Sequence, residues 1–142
     1  IEWYRVPVVF GANQSACLTL TKIDTNSEKH ALILKAQSTD ASKGMIKVAY
    51  VPKYKRVDVW SIQPGQNWVK RATISNVTFV NGDRFGARAY ADGTVRVYKN
   101  GAQIGTSPTS SYFVNRSGRI GVWFYDAEGA RFDDFGGGNF TP

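Results

Sequence analysis

The stretch "GDRFGARAYADGTVRVYKNG", Gly82 to Gly101, decides how this chain folds. Read with a period of two, Phe85, Ala87, Ala89, Val95 and Val97 share one face, while Arg88, Tyr90, Arg96 and Tyr98 share the other. Successive side chains of a strand point to opposite faces, so this is a hairpin with an apolar side and an Arg/Tyr side. Ala91-Asp92-Gly93 suits a three-residue loop, a type I turn closed by a left-handed glycine. That loop pairs Ala89 with Val95, Ala87 with Val97 and Arg88 with Arg96, which keeps each set on its own face. A two-residue loop would mix them. Asn100-Gly101 suits a type I′ turn into a further strand, with Val97 expected opposite Ile104 on the buried side.

The same alternation recurs along the chain. Strands are expected over Ala16–Ile23, Ala31–Gln37, Met45–Val51, Val57–Ile62, Trp68–Ile74, Arg84–Tyr90, Thr94–Lys99, Gln103–Gly105, Gly118–Tyr125 and Ala130–Phe135. They are short, rich in Val, Ile, Thr and aromatics, and punctuated by turn residues at intervals of about 8 to 12. No window sustains a helical period. This is the pattern of an all-β fold built as an antiparallel sandwich or barrel. In "RIGVWFYD" Ile120, Val122 and Phe124 oppose Gly121, Trp123 and Tyr125; in "VDVWSI" Val57 and Val59 oppose Asp58 and Trp60. In "MIKVAYV" Ile46, Val48 and Tyr50 oppose Lys47, Ala49 and Val51. With the apolar sets turned inward, Trp60, Trp123, Tyr125, Tyr90, Tyr98, Arg88, Arg96 and Lys47 fall on outer faces. If their strands adjoin, they make one aromatic and basic surface.

At 142 residues the chain is read as a single domain, 1–142. Its start at Ile1 is read as that of a piece excised from a larger protein. Hydrophobic content of 42% with 20% charged residues is globular composition, which argues against disorder. No apolar run reaches the roughly 18 residues of a membrane span, so no membrane partner is expected. The net charge of +7 favours anionic partners. The basic residues are dispersed rather than gathered in a tail or helix, so no nucleic acid is expected. Cys17 stands alone, which excludes a disulfide framework, and it is expected to be a small buried hydrophobe.

"GDRFGARAYADGTVRVYKNG" followed by "GRIGVWFYDAEGARFDDFGGG" resembles the concanavalin A-like lectin/glucanase modules, the laminin-G-like jelly rolls found as accessory domains of secreted bacterial multidomain proteins. "ACLTLTKID", "HALILKAQS" and "GMIKVAYV" fit the same layout, so the likeness runs from about Ala12 onward. Copies of that module often open with an extra strand that this chain does not show. The resemblance implies a two-sheet antiparallel jelly-roll sandwich, secreted or at the cell surface, frequently carbohydrate-binding and sometimes with a structural Ca²⁺.

Sugar rings have apolar faces edged by hydroxyls, so an aromatic ring covers the face while polar groups reach the rim. Arginine pairs with carboxylate or sulfate through two parallel hydrogen bonds. Trp60, Arg88, Tyr90, Arg96, Tyr98, Trp123 and Tyr125 are therefore the candidate binding set for a polysaccharide or oligosaccharide, especially an acidic one. Outward Arg and Tyr can also form cross-strand cation–π pairs that only protect a sheet. An edge-loop set, Lys53, Tyr54, Lys55, Arg56 and Trp68, rivals the sheet. The function expected is a non-catalytic carbohydrate-binding module that tethers a secreted protein to its substrate. A spacer packed against neighbouring domains of the parent chain is the alternative, and a glucanase-like hydrolase or lyase a third.

Catalysis has little to stand on. The glucanases of that superfamily carry an E-x-D-x-x-E strand, which is absent here. Asp126 and Glu128 have strand spacing but sit in the loop-like "DAEG", and His30 has no second histidine for a metal or a triad. In "RFDDFGGG", Asp133 or Asp134 could join Asp126 or Asp24 around Ca²⁺. Alternatively one aspartate turns inward to neighbouring backbone N–H groups and the glycines end the strand.

Overall fold

A computed structural model describes residues 2–27, 29–125 and 129–142; of Glu2–Arg5 only the backbone is described. The strands are β1 (Glu2–Arg5), β2 (Gln14–Lys22), β3 (Lys29–Ala36), β4 (Met45–Val51), β5 (Arg56–Ile62) and β6 (Val69–Ser75). They continue with β7 (Asp83–Ala89), β8 (Val95–Lys99), β9 (Ala102–Ser107), β10 (Arg119–Tyr125) and β11 (Arg131–Asn139). The six-stranded sheet has the order β1-β10-β3-β4-β5-β6 and the five-stranded sheet the order β11-β2-β7-β8-β9. All pairings are antiparallel, and the two sheets face each other as a jelly-roll sandwich. No described helix is long and apolar enough to cross a membrane.

Alternation places the core between the sheets. Leu32, Leu34, Ile46, Val48, Val57, Val59, Ile120 and Val122 of one sheet meet Leu18, Leu20, Phe85, Ala87, Ala89, Val95 and Val97 of the other, all buried. The hairpin of β7 and β8 has the expected register, Ala89 with Val95, Arg88 with Arg96 and Ala87 with Val97. Its turn closes through Gly93 N–H to the Tyr90 carbonyl at 3.0 Å, and Gly93 has the left-handed φ of 88° that the loop type demands.

Several expectations change. Val97 lies opposite Gly105 rather than Ile104, because a bulge between Val97 and Tyr98 slips the β8–β9 ladder. The slip has a packing reason: Ile74 of the other sheet presses against Gly105 so closely that no Cβ fits there. An N-terminal strand does exist, since β1 pairs with β10 and sets Trp3 beside Trp123. The triple glycine does not end the last strand; Gly136, Gly137 and Gly138 pair with Cys17, Ala16 and Ser15. His30 is fully buried against Phe124, ring centroids 4.9 Å apart, rather than lying at a polar edge. Burial lowers its pKa to about 4, so it is neutral at physiological pH. Cys17 is only half-buried and faces outward.

Candidate functional site

The expected outer residues do point outward, but not onto one surface. Trp60, Trp123 and Tyr125 lie on β5 and β10 of the six-stranded sheet, whereas Arg88, Tyr90, Arg96 and Tyr98 lie on β7, β8 and the turn of the five-stranded sheet. These strands do not adjoin. The sandwich carries two separate aromatic and basic faces, back to back.

On the six-stranded face the floor is made of short or unbranched-tip residues. Ala31 of β3 stands between Trp123 of β10 and Ala49 of β4. Ile33 stands beside Lys47, which stands beside Trp60 of β5. Over this low floor lies a hollow of about 310 Å³ lined by Lys29, Lys47, Trp60, Trp68, Trp123 and Tyr125. Trp68, assigned above to an edge-loop set, belongs here: it meets Trp123 edge-on with centroids 6.0 Å apart. The rest of that set, Lys53, Tyr54, Lys55 and Arg56, sits at the β4–β5 turn, at the other end of β5 from Trp68, where Arg56 packs over Tyr54 at 5.0 Å.

Lys47 organises the hollow. Its ammonium lies 4.2 Å from the Trp68 ring centroid, 4.6 Å from Trp123 and 6.0 Å from Trp60. Lys29 approaches the other side, 5.8 Å from Trp60 and 5.6 Å from Tyr125. Lys70 covers Trp60 at 5.3 Å. Lys47 is only 5% exposed. Burial, with the Lys29 charge adding to it, pulls its pKa down to about 7. The nearby carboxylate, Asp58, is already committed: it accepts from Arg56 at 3.0 Å and Thr73 at 3.1 Å and lies 3.8 Å from Lys70. Among the described residues Lys47 has no ion-pair partner. Among the described residues the buried Trp60 Nε1 has no acceptor, which leaves a donor in the wall. A caged, uncompensated ammonium among flat rings is suited to an anionic group attached to a body that can stack.

The alternation of β4 placed Lys47 outward, but Lys29 was missed because its strand was expected to begin at Ala31. The two-residue extension of that strand is the signal that would have found it.

On the five-stranded face the Arg/Tyr set engages itself. The Arg88 guanidinium lies 5.5 Å over Tyr98 and 4.8 Å over Phe140, Arg96 lies 4.7 Å over Tyr90, and Phe140 meets Tyr90 edge-on at 5.0 Å. Both arginines are exposed and both tyrosines half-buried.

Asp133 and Asp134 are exposed, and neither turns inward; Asp133 accepts the Asp134 backbone N–H at 2.8 Å. Asp24 instead ties its own loop, accepting from Asn26 N–H at 3.1 Å and Gly129 N–H at 3.3 Å. Among the described residues no three His, Cys, Asp or Glu side chains converge. Asp126 and Glu128 lie outside the described residues.

No protein-family model and no curated protein matches the chain. Solved structures do. The carbohydrate binding module CBM66 from Bacillus subtilis superposes with a TM-score of 0.73 at 15% identity, over 96% of this chain and 81% of that one. A congerin II variant superposes with a TM-score of 0.67 at 11% identity, over 96% and 99% of the two chains. A human galectin-16 variant does so with a TM-score of 0.64 at 20% identity, over 96% and 95%. At these identities the likeness establishes the fold, a lectin-like jelly roll.

Proposed function

We propose that this domain is a non-catalytic carbohydrate-binding module that holds an acidic polysaccharide on the outer face of its six-stranded sheet, tethering a secreted protein to it. The observation that carries the reading is Lys47, a buried ammonium walled by Trp60, Trp68 and Trp123 with no counter-ion among the described residues. Burying a charge without a partner is costly, and a uronate or sulfate entering the hollow removes that cost while its ring covers an indole. Lys29 widens the cationic end, and Tyr125 and Trp60 extend the stacking surface. The likeness of fold to a carbohydrate binding module supports the ligand class. Binding of this kind uses no metal and no reacting carboxylate.

Affinity electrophoresis in gels containing polygalacturonate, dextran sulfate or a neutral glucan tests the reading. The wild type is expected to be retarded in the acidic gels, and Trp123→Ala to lose most of that retardation. A Lys53→Gln/Lys55→Gln variant, which sheds two charges at the β4–β5 turn, is expected to keep it. Retardation lost by the lysine pair and kept by Trp123→Ala would move the site to the edge loop. Equal mobility in every gel would leave the domain as a spacer.

A further inference from the structure

The outer face of the five-stranded sheet carries its own hollow, about 400 Å³, bordered by Arg84, Arg88 and Tyr98 and floored by Ser15, Cys17 and Gly86. Register explains the floor. Gly136 of β11, Cys17 of β2 and Gly86 of β7 stand side by side across three strands, and Tyr98 of β8 closes the row. Glycine weakens a strand interior, so one that neither turns nor bulges the chain marks a place that something else approaches closely. Gly86 is such a residue. It pairs regularly on both sides, its φ is not left-handed, and an added Cβ would meet Cys17 and Tyr98 at 3.6 and 3.7 Å, ordinary contact distances. The fold would accept a side chain at Gly86, but the trough would be filled by it. Gly136 likewise faces open space.

The rims are cationic. Arg84 leans in from one side, Nη2 donating to Cys17 Sγ at 3.0 Å and Nη1 to Thr19 Oγ1 at 3.4 Å. Arg88 stands on the other side with its guanidinium over Tyr98. Stacking occupies the flat face of a guanidinium and leaves N–H donors in its plane for a carboxylate or sulfate. Among the described residues no carboxylate lies within ion-pair distance of Arg84, Arg88 or Arg96. Arg84 and Arg88 are four residues apart on a strand, so their Cα atoms are about 13 Å apart. That spacing suits a chain passing between them better than one small ion.

We infer that this trough is a second glycan site, independent of the tryptophan face, that takes an extended acidic polysaccharide segment between Arg84 and Arg88 with Tyr98 as its stacking ring. It shares only the ligand class with the function proposed above. Because the two sites lie on opposite faces of one sandwich, a single domain bridges two polymer chains.

The test is calorimetric titration with dextran sulfate and polygalacturonate oligosaccharides, starting from Trp123→Ala so that the other face is silent. This variant is expected to retain measurable binding. Adding Arg84→Gln and Arg88→Gln is expected to weaken it at least about tenfold, as loss of charge-assisted contacts requires. Adding Gly86→Thr instead, which fills the floor and keeps every charge, is expected to weaken it comparably while the thermal melt shows an intact fold. With long-chain polymer, the wild type is expected to produce turbidity and either single-face variant to bind without it. Trp123→Ala abolishing all binding would overturn the second site and leave the first. Unchanged binding in the Gly86→Thr variant would overturn the trough in favour of diffuse surface charge. Full wild-type affinity in Trp123→Ala would instead overturn the tryptophan face and leave the trough.

Discussion

The two outer faces use the same ingredients, aromatic rings and cations, and arrive at opposite electrostatics. On the five-stranded face Arg88 and Arg96 lie exposed over Tyr98 and Tyr90, where water screens them. On the six-stranded face Lys47 is enclosed by three indoles and burial lowers its pKa to about 7. The difference comes from the floor and from the side chain chosen. Ala31 and Ala49 let large rings lean inward over Lys47, and a lysine can shed its charge when buried whereas an arginine cannot. A caged ammonium is a standing request for an anion.

The sharpest way to break this contrast is to remove one ring from each face. Trp123→Ala is expected to lower affinity for polygalacturonate about 30-fold, the loss typical of a buried aromatic anchor. Tyr90→Ala, outside both hollows, is expected to leave binding unchanged. Calorimetry of the two variants side by side checks this.

Lys47→Met comes next, since it keeps a long unbranched apolar stem and deletes the charge. Affinity for the acidic polymer is expected to fall about tenfold, the value of one charge-assisted contact. Stability is expected to move the other way, by an amount that shrinks as pH rises. The folded-state pKa of about 7 lies below the ordinary lysine value of 10.5, so between those values the unfolded chain holds more protons. The group therefore destabilises the fold fully below pH 7, and the effect fades as pH rises to about 10.5. Thermal melts should show the Met variant more stable at pH 6 and equal to wild type near pH 10.5.

The same proton gives the binding its pH signature. Below about pH 7 Lys47 is charged and affinity should be flat; above it, affinity should fall by up to about tenfold per pH unit until the pKa of the complex is reached. Binding in the arginine trough, followed in Trp123→Ala, should not change over the same range. The smallest effect is expected for Arg96→Gln, which removes an exposed cation and should change stability by less than about 0.5 kcal/mol in chemical denaturation.

Much of this architecture was legible in the chain. Period-two alternation and the turn chemistry of Ala91-Asp92-Gly93 set the β7–β8 register correctly, because both act over a few residues. The bulge opposite Gly105 was not legible, since its cause is Ile74 on the other sheet. Four-residue β1 carries too little pattern to stand out before it pairs with β10. For the site, parity told which side chains leave the core and nothing about which sheet they leave from. Trp60 and Arg88 share a parity but not a sheet, and that is decided by long-range pairing. Trp68, expected to open its strand and grouped with the edge loops, lies one residue before β6, and packing sets its ring against the Lys47 ammonium.

Tryptophan emission reads the central claim most directly, because three indoles, Trp60, Trp68 and Trp123, line the hollow. Titrating polygalacturonate oligosaccharides into the wild type at pH 6, with Lys47→Met alongside, should give a saturable emission change in the wild type that is weakened about tenfold in the variant. Binding detected by calorimetry with no change in emission, or an equal response from Lys47→Met, would contradict it.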